Sequence, residues 1–345
     1  MGVVRTNTMT VHLLVPEGFD DPARPSGGNY YDRRIAEGLT RLGWQVCVQP
    51  VAGCWPRPEG VEVTEVTAEI PDDSVVLVDG IIVSAMPQVL VSAARRLRLV
   101  VLVHMLPENQ LEREVLWVAD SIVTTSRWTR EKLLAEYGLE PGCVHVAHPG
   151  VDSAELACGS PEGRQLLCVA TVAEHKGHDL LLDALDRIAE LSWHCTLAGP
   201  LDREPVFVDR LRQQLHTSRI AGRVTFTGAL DTDAVSKKYA TADLLVLASR
   251  SETYGMVICE ALARGVPVVA SEVGGIPEAV GTAADGTSPG LFVPLGDAGA
   301  LAAELARWLQ DSQLRHRLRS AARDRRRSLP TWQATTERVA EVLAG

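Results

Sequence analysis

Two glutamates, Glu252 and Glu260, lie on either side of Gly255 in a stretch that follows an apolar run. The apolar run at residues 244–248 predicts a strand, and the pattern after Gly255 predicts a helix with Glu260 about one turn inside it. The free N–H groups at a helix start bind phosphate, and a glycine there lets the backbone approach a ligand closely. Two carboxylates beside an anion site would repel the anion, so each is expected to accept hydrogen bonds from hydroxyl groups of the same ligand. A nucleotide sugar has such hydroxyls on both sides of its diphosphate.

This stretch resembles the signature of retaining glycosyltransferases of family 4, which have the GT-B fold. The match consists of Glu252, seven intervening residues, Glu260 and then Ala-Leu-Ala-Arg-Gly-Val-Pro-Val-Val-Ala. Five weaker matches keep the family's order and extend the resemblance over nearly the whole chain. They are Ser26-Gly27-Gly28, Val103-His104-Met-Leu-Pro107, His148-Pro149-Gly150-Val151-Asp152, Glu174-His175-Lys176-Gly177 and Gly274-Gly275-Ile276-Pro277-Glu278.

The resemblance implies a transferase of the hexosyltransferase type (EC 2.4). It would move a sugar from a nucleoside diphosphate sugar to an acceptor hydroxyl by front-face substitution, with retention of configuration and without a metal or other cofactor. The catalytic residues implied are His104, Lys176 and Glu252, of which Lys176 stabilises the leaving diphosphate by a preorganised charge. The donor-binding residues implied are Gly27, Gly28, Thr171, Lys176, Arg250, Glu252, Tyr254, Gly255, Met256 and Glu260.

The sequence departs from the family pattern at one point of the donor site. Members usually carry Gly-Arg at the end of the first C-terminal strand, where this chain has Ala170 and Thr171. The arginine that would help to hold the diphosphate is therefore absent. Either Lys176 works with another cation, such as Arg250, or diphosphate binding is weaker.

Several of these candidates also have a purely structural alternative. The alternatives are a solvated loop acid for Glu252, a protein hydrogen-bond partner for Glu260, a core position for His104, a surface position for Lys176, and the mere start of a helix for Gly27 and Gly28. Asp231-Thr-Asp233 has the form of a metal-binding acid pair, but its place before a helical stretch favours helix capping. The seven arginines of residues 315–327 favour a solvated helix face over contact with an anionic membrane.

The elements that must position these residues follow a strand–loop–helix rhythm in two series, as in doubly wound α/β domains with parallel sheets. Residues 75–91 are expected to form a buried strand and a turn, and residues 148–164 a linker. The prediction is a GT-B architecture of two Rossmann-like domains facing across a cleft. Its parts are residues 1–157 for the acceptor, residues 158–330 for the donor, and a last helix at residues 331–345 that packs back toward the first domain. The predicted strands are residues 11–15, 44–48, 74–78, 97–103, 121–125, 143–147, 165–170, 193–198, 224–227, 244–248 and 266–270.

Composition agrees with a soluble globular protein. The 345 residues suffice for about two domains, and the net charge of −10 makes nucleic acid an unlikely partner. Seven cysteines without metal-ligand spacing favour a reduced, cytoplasmic compartment. We expect the partners to be a nucleotide-sugar donor and a small-molecule or glycan acceptor, with at most weak peripheral contact to a membrane.

Three other functions are alternatives to a glycosyltransferase for this sequence. A GT-B-type nucleotide-sugar epimerase would use the same cleft without an acceptor. A non-catalytic nucleotide-sugar-binding homologue is favoured only by Thr171, and the presence of both Glu252 and Glu260 opposes it. A Rossmann dehydrogenase is disfavoured because residues 16–28 lack a tight G-x-G-x-x-G turn.

Overall fold

The computed structural model describes residues 9–21, 26–53, 55, 64–107 and 109–345. The chain divides into two units. In the described part, the N-terminal unit comprises residues up to 150, without residues 22–25, together with residues 330–345, and the C-terminal unit comprises residues 151–329. Each unit contains a six-stranded parallel sheet with helices between its strands. The predicted fold class, α/β with two doubly wound parallel sheets, is confirmed.

The sheet of the N-terminal unit has the strand order β2-β1-β3-β4-β5-β6. Its strands are β1 (Thr10–Pro16), β2 (Gln45–Val51), β3 (Val75–Asp79), β4 (Arg98–Val103), β5 (Ser121–Thr124) and β6 (Val144–Val146). Its helices are α1 (Gly27–Arg41), α2 (Thr64–Ala68), α3 (Gly80–Ala85), α4 (Pro87–Ala93), α5 (Gln110–Val118) and α6 (Arg127–Tyr137). The order reverses between β1 and β3, and such a reversal is where α/β sheets bind ligands.

The sheet of the C-terminal unit has the order β12-β11-β10-β7-β8-β9 and reverses between β7 and β10. Its strands are β7 (Gln165–Val169), β8 (His194–Ala198), β9 (Val224–Gly228), β10 (Leu244–Leu247), β11 (Val268–Ser271) and β12 (Gly290–Val293). Its helices are α7 (His178–Arg187), α8 (Pro205–Thr217), α9 (Thr232–Thr241), α10 (Met256–Ala263), α11 (Ile276–Val280), α12 (Ala298–Gln310) and α13 (Ser312–Arg325), with 3₁₀ turns at Glu174–Lys176 and Arg326–Ser328.

The last helix, α14 (Trp332–Ala344), lies against the N-terminal unit. It begins at Thr331, whose hydroxyl accepts a hydrogen bond from the Ala334 N–H at 3.2 Å. Thr336 packs so closely on α1 that a Cβ atom at Gly38 would lie 2.2 Å from the Thr336 hydroxyl oxygen. The guanidinium of Arg98 donates to the Leu343 carbonyl at 2.9 Å. Glycine at position 38 is what lets the two helices approach.

Three features of the fold differ from the sequence-based expectations. The turn expected within residues 75–91 is wrong, because β3 runs into two short helices, α3 and α4. Strand β12 was not predicted. The unit boundary lies at residues 150–151 rather than after residue 157, because the Ala157 N–H donates to the Arg264 carbonyl and the Cys158 N–H to the Ala240 carbonyl, both at 2.9 Å within the C-terminal unit.

Some of the arginines of residues 315–327 correct a fourth expectation. Arg315 donates to the Trp308 carbonyl at 2.8 Å, Arg319 forms an ion pair with the fully buried Asp243 at 2.6 Å, and Arg325 donates to the Val280 carbonyl at 3.1 Å. Arg326 donates to the Ala154 carbonyl. These arginines fasten α13 and its end to the C-terminal unit, so the solvated helix face is wrong for them.

Asp231 caps α9, as the sequence predicts, because its carboxylate accepts from the Ala234 N–H at 2.7 Å. Among the described residues, no helix combines the length and the apolar character needed to cross a membrane.

Candidate functional site

The loop between β10 and α10 is held in place by three glycines. Gly255, the residue before α10, has φ of +92°, a left-handed conformation that glycine adopts without strain. The Gly275 N–H donates to the Glu252 carbonyl at 3.0 Å. A Cβ atom at Gly274, which has φ of +59°, would lie 1.7 Å from that carbonyl oxygen. The Gly274-Gly275 turn therefore fixes the backbone of Glu252 from the other side.

Lys176 reaches the same place from β7. It ends the 3₁₀ turn Glu174–Lys176, and Gly177 follows with φ of +68°. A Cβ atom at Gly177 would lie 1.9 Å from the Ala248 carbonyl oxygen, at the end of β10. The Arg250 N–H also donates to the His175 carbonyl at 2.7 Å. The loops after β7 and β10 thus meet at the reversal of strand order, where a ligand site is expected.

The ammonium of Lys176 and the carboxylate of Glu252 form an ion pair, with Nζ 2.6 Å from Oε2. Both side chains are mostly buried, with 21% and 16% of their surface exposed. The sequence assigned these residues to the diphosphate and the sugar of one ligand, and the structure brings them into contact. In the free protein, each charge satisfies the other.

Arg250, the cation expected to compensate for the missing arginine, is bound within the protein. Its two terminal nitrogens donate to the two carboxylate oxygens of Asp179 at 2.9 and 2.7 Å, and one of them also donates to the Glu174 carbonyl at 2.6 Å. Burial opposes ionisation of Asp179, but Arg250 outweighs it and holds the pKa of that carboxyl below its ordinary value. Arg250 braces the lysine turn in this structure.

Glu260 lies in α10, as predicted, and contacts a protein partner. The hydroxyl of Tyr239 lies 3.0 Å from Glu260 Oε2 and 3.2 Å from the Val257 carbonyl oxygen. Burial raises the pKa of Glu260 above its ordinary value, although Tyr239 and Arg264 counteract it. The structural hydrogen bond is therefore present, and the ribose contact stays a prediction.

The remaining donor-site candidates differ in their exposure. Thr171 and Met256 are half-buried, after β7 and at the start of α10 respectively. The side chain of Tyr254 is only 3% exposed, and its hydroxyl oxygen accepts from the Cys259 thiol at 3.5 Å. Burial raises the pKa of the Tyr254 hydroxyl well above its usual range. The Tyr254 ring thus supports the loop from the core, so a ligand contact at this position falls to its backbone.

In the N-terminal unit, the structure brings His104 and Gly28 together. Gly27 and Gly28 form the first turn of α1, which is the helix-start alternative. A Cβ atom at Gly28 would lie 3.2 Å from His104 Cδ2. His104 Nε2 lies 2.8 Å from Oδ1 of the fully buried Asp32, and the Tyr31 ring meets the imidazole edge-on with 5.2 Å between ring centroids.

Two acidic residues of this cluster were not predicted, Asp32 in α1 and Asp79 at the end of β3. Burial lowers the pKa of His104, but Asp32 and Asp79 outweigh it and raise the pKa to about 9. Burial and the neighbouring Asp32 raise the pKa of Asp79 well above its usual range. Asp79 also caps α3, because its carboxyl accepts from the Ile81 N–H at 2.9 Å.

Comparison with known proteins relates the chain to one family. Residues 159–325 match the model of the family described as glycosyl transferases group 1. A curated relative, the D-inositol 3-phosphate glycosyltransferase of Jonesia denitrificans, is 30% identical over 245 residues, which are 65% of this chain and 56% of the relative. The chain thus spans about half the length of the curated relatives it matches.

Two solved structures share the fold. Sucrose-phosphate synthase from Thermosynechococcus elongatus superimposes with a TM-score of 0.77 at 20% identity, over 97% of this chain and 98% of the other. Anabaena HepE in complex with UDP and glucose superimposes with a TM-score of 0.74 at 20% identity, over 98% of this chain and 100% of the other.

Proposed function

We propose that the protein is a glycosyltransferase, because residues 159–325 match the model of the glycosyl transferases group 1 family. It takes a sugar from a nucleoside diphosphate sugar and passes it to an acceptor hydroxyl, with the configuration of the anomeric carbon retained. The donor site lies in the C-terminal unit, at the ends of β7 and β10.

The Lys176–Glu252 ion pair is the observation that carries this proposal. A mostly buried ammonium near the N-terminal end of α10 provides two kinds of attraction for a diphosphate, a point charge and unpaired N–H groups. The carboxylate beside it accepts hydrogen bonds from hydroxyl groups, which the sugar carries. Donor binding then moves Lys176 from Glu252 to phosphate and leaves Glu252 to the sugar.

The proposed chemistry follows from these charges. Negative charge grows on the diphosphate as the bond to the sugar breaks, and Lys176 and the α10 backbone stabilise it from fixed positions. These groups take the part that a metal ion has in other transferases, so the reaction needs no metal. The acceptor attacks the face from which the diphosphate leaves, and a phosphate oxygen takes the acceptor proton. His104 contacts the donor sugar.

The relatives suggest which substrates to test first. UDP-glucose is the first donor, because HepE was solved with UDP and glucose. D-inositol 3-phosphate is the first acceptor, because it stands in the name of the curated relative. We place the reaction in the cytoplasm, which suits the free thiols of Cys47, Cys143, Cys158, Cys168, Cys195 and Cys259.

Mass spectrometry of reaction mixtures, after chromatographic separation of isomeric sugar nucleotides, tests the proposal and separates it from its rivals. The protein is incubated with UDP-, GDP-, ADP- and dTDP-sugars and a set of polyol, sugar and phosphorylated acceptors. A transferase adds the mass of one sugar residue to an acceptor and releases the nucleoside diphosphate. Isomerised donor without a glycosylated acceptor would indicate an epimerase. Donor binding without either product would indicate a non-catalytic homologue, the alternative that Thr171 favours.

A further inference from the structure

A buried cluster in the N-terminal unit joins three elements at the reversal of strand order between β1 and β3. Asp32 comes from α1, Asp79 from the end of β3, and His104 from the loop after β4. One carboxyl oxygen of Asp32, one of Asp79 and one ring nitrogen of His104 all lie within 4.8 Å of one another. Asp32 is fully buried, and Asp79 is 3% exposed. Two buried carboxyl groups this close together are stable only if protons or a positive charge offset their negative charges.

The hydrogen bonds indicate where the protons lie. Asp32 Oδ1 accepts from His104 Nε2 at 2.8 Å. Within the described residues, the buried Asp32 Oδ2 has no hydrogen-bond partner, and a carboxyl oxygen of Asp79 lies within 4.8 Å of a carboxyl oxygen of Asp32. Two ionised carboxylates cannot hydrogen-bond to each other, whereas a protonated carboxyl donates to an ionised one.

The proton between the two carboxyls belongs to Asp79. Asp32 already has a cationic partner in His104, which stabilises its negative charge. Asp79 has only the Ile81 N–H as a partner on its own helix. Sharing of one proton between buried neighbouring acids is the usual outcome when like charges meet at low dielectric.

We propose that Asp32 and Asp79 are positioning residues for His104: Asp79 donates a proton to Asp32, and Asp32 holds the imidazole of His104 doubly protonated and in one orientation. The assignment of protons is independent of the proposed function. Only the contact between His104 and a donor sugar rests on it. A doubly protonated imidazole is a donor at both nitrogens. The oxygen that meets it on the substrate must therefore act as an acceptor.

The surroundings of the ring support this assignment. The edge-on Tyr31 ring and Gly28 limit the imidazole on two sides. Tyr31 is a titratable group that borders the cluster, and its hydroxyl donates to the Ala147 carbonyl at 3.0 Å. Burial, with a contribution from Asp32, raises the pKa of Tyr31 far above its usual range, so it stays neutral. One imidazolium, one carboxylate and one neutral acid give the cluster no net charge, so it does not repel positive charge that develops on the donor sugar.

The ionisation of His104 is measured directly by NMR on the full chain with labelled histidine, using His104→Gln to identify its signals. We expect His104 to remain protonated at pH 7.5 in the wild type. The isosteric variants Asp32→Asn and Asp79→Asn separate the two acids. Asp32→Asn removes the charge and lowers the midpoint by at least one pH unit. Asp79→Asn keeps a donor to Asp32 and leaves His104 protonated at pH 7.5.

Three results would overturn the assignment. They are a wild-type midpoint at or below about 6.5, the ordinary histidine value, an equal shift in both variants, and one equivalent of divalent cation in the purified protein that Asp79→Asn loses. The last result would make the cluster a metal site. If Asp32→Asn does not fold, the wild-type titration and Asp79→Asn still decide between these outcomes.

Kinetics then test the functional consequence. The rate of nucleoside diphosphate release should fall at high pH as His104 loses its proton. Asp32→Asn should move this fall to lower pH by at least one unit and lower kcat more than it raises the donor KM, while Asp79→Asn, which keeps a donor to Asp32, should not move the pH at which the rate falls. A purely structural role for Asp32 would leave the pH profile unmoved, and this result would overturn the positioning role. An NMR result as expected, with no release from any donor, would contradict the proposed function and support the proton assignment.

Discussion

At the scale of single residues, Lys176 forms an ion pair with Glu252 in the free protein, and the proposed function gives it the diphosphate as its partner in the donor complex. We expect Lys176→Met to lower kcat by about 10²–10³, because removal of one preorganised group that stabilises a leaving charge typically costs this much. The effect should fall on kcat rather than on the donor KM. Nucleoside diphosphate release at saturating donor measures it.

Lys132→Met is the matched control for this experiment. Lys132 also forms a short ion pair, with Glu136 at 2.7 Å, but on the exposed face of α6. Its loss should leave kcat unchanged. If Lys176→Met keeps more than about a third of wild-type kcat, or raises only KM, the lysine does not stabilise the leaving group.

Substitutions of Glu260 and of its partner Tyr239 distinguish a ribose-binding role of Glu260 from a structural role. Glu260→Gln should weaken nucleotide binding roughly tenfold to a hundredfold, since a hydrogen bond to a charged group contributes about 1.5–3 kcal/mol. Tyr239→Phe removes only the protein partner and should change the affinity less than threefold. Titration calorimetry with the nucleoside diphosphate measures both. Equal losses in the two variants would assign Glu260 to the structural role alone.

The site residues that belong to a short sequence motif could be predicted from the sequence. The spacing of Glu252, Gly255 and Glu260 correctly located a loop, a helix start and a position inside the helix. Asp32 and Asp79 could not be found in this way, because they meet His104 across 72 and 25 residues of chain and stand in no motif. Arg250 shows the same limit, since its ion pair with Asp179 depends on how the loop after β10 packs against the start of α7.

At the scale of elements, the turn that carries Lys176 depends on glycine. Gly177→Ala should destabilise the C-terminal unit by about 2–4 kcal/mol, because the left-handed conformation strains alanine and the Cβ atom would overlap the Ala248 carbonyl. It should also weaken nucleotide binding. Gly222→Ala is the control, since a Cβ there meets nothing within 4 Å. Urea unfolding measures the stability, and equal stability of the two variants would contradict the packing described for the turn.

Most strands could be predicted because they are continuous apolar runs, as buried parallel strands are. β10, with all four residues buried, is an example. β12 has only four residues and begins with Gly290, so its apolar run of three residues is too short to stand out in the sequence. The helices α3 and α4 were missed because residues 80–93 are apolar on most sides, and such a run does not distinguish a strand from a short helix.

At the scale of the whole molecule, the charges explain how a transferase could work without a metal. Prolonged treatment with EDTA should leave at least about half of the activity, because the proposed mechanism assigns stabilisation of the diphosphate to Lys176 and the N–H groups of α10. Activity with and without added Mg²⁺ or Mn²⁺ measures this. Loss of activity that either ion restores would contradict the metal-free mechanism, and Asp233 would then have to be examined beside the capping residue Asp231.

Composition predicted the number of units but not how segments are shared between them. The arginines of residues 315–327 lie on α13 and the 3₁₀ turn after it, which bind to carbonyl groups of the C-terminal unit, and the next helix, α14, belongs to the N-terminal unit. A change of unit within a few residues has no local sequence signal. It becomes visible only in the partners of Arg326 and Thr336.

Nucleotide binding to the whole protein tests the central claim most directly. The melting temperature is recorded for the wild type and for Lys176→Met with UDP-, GDP-, ADP- and dTDP-sugars. A donor present at about 100 times its Kd stabilises a protein by about 2.7 kcal/mol. For the wild type, we predict that at least one donor raises the melting temperature by the amount that corresponds to this free energy. For Lys176→Met, we predict a clearly smaller rise with the same donor. No shift with any donor, or the same shift in both proteins, would contradict a nucleoside diphosphate sugar site at Lys176.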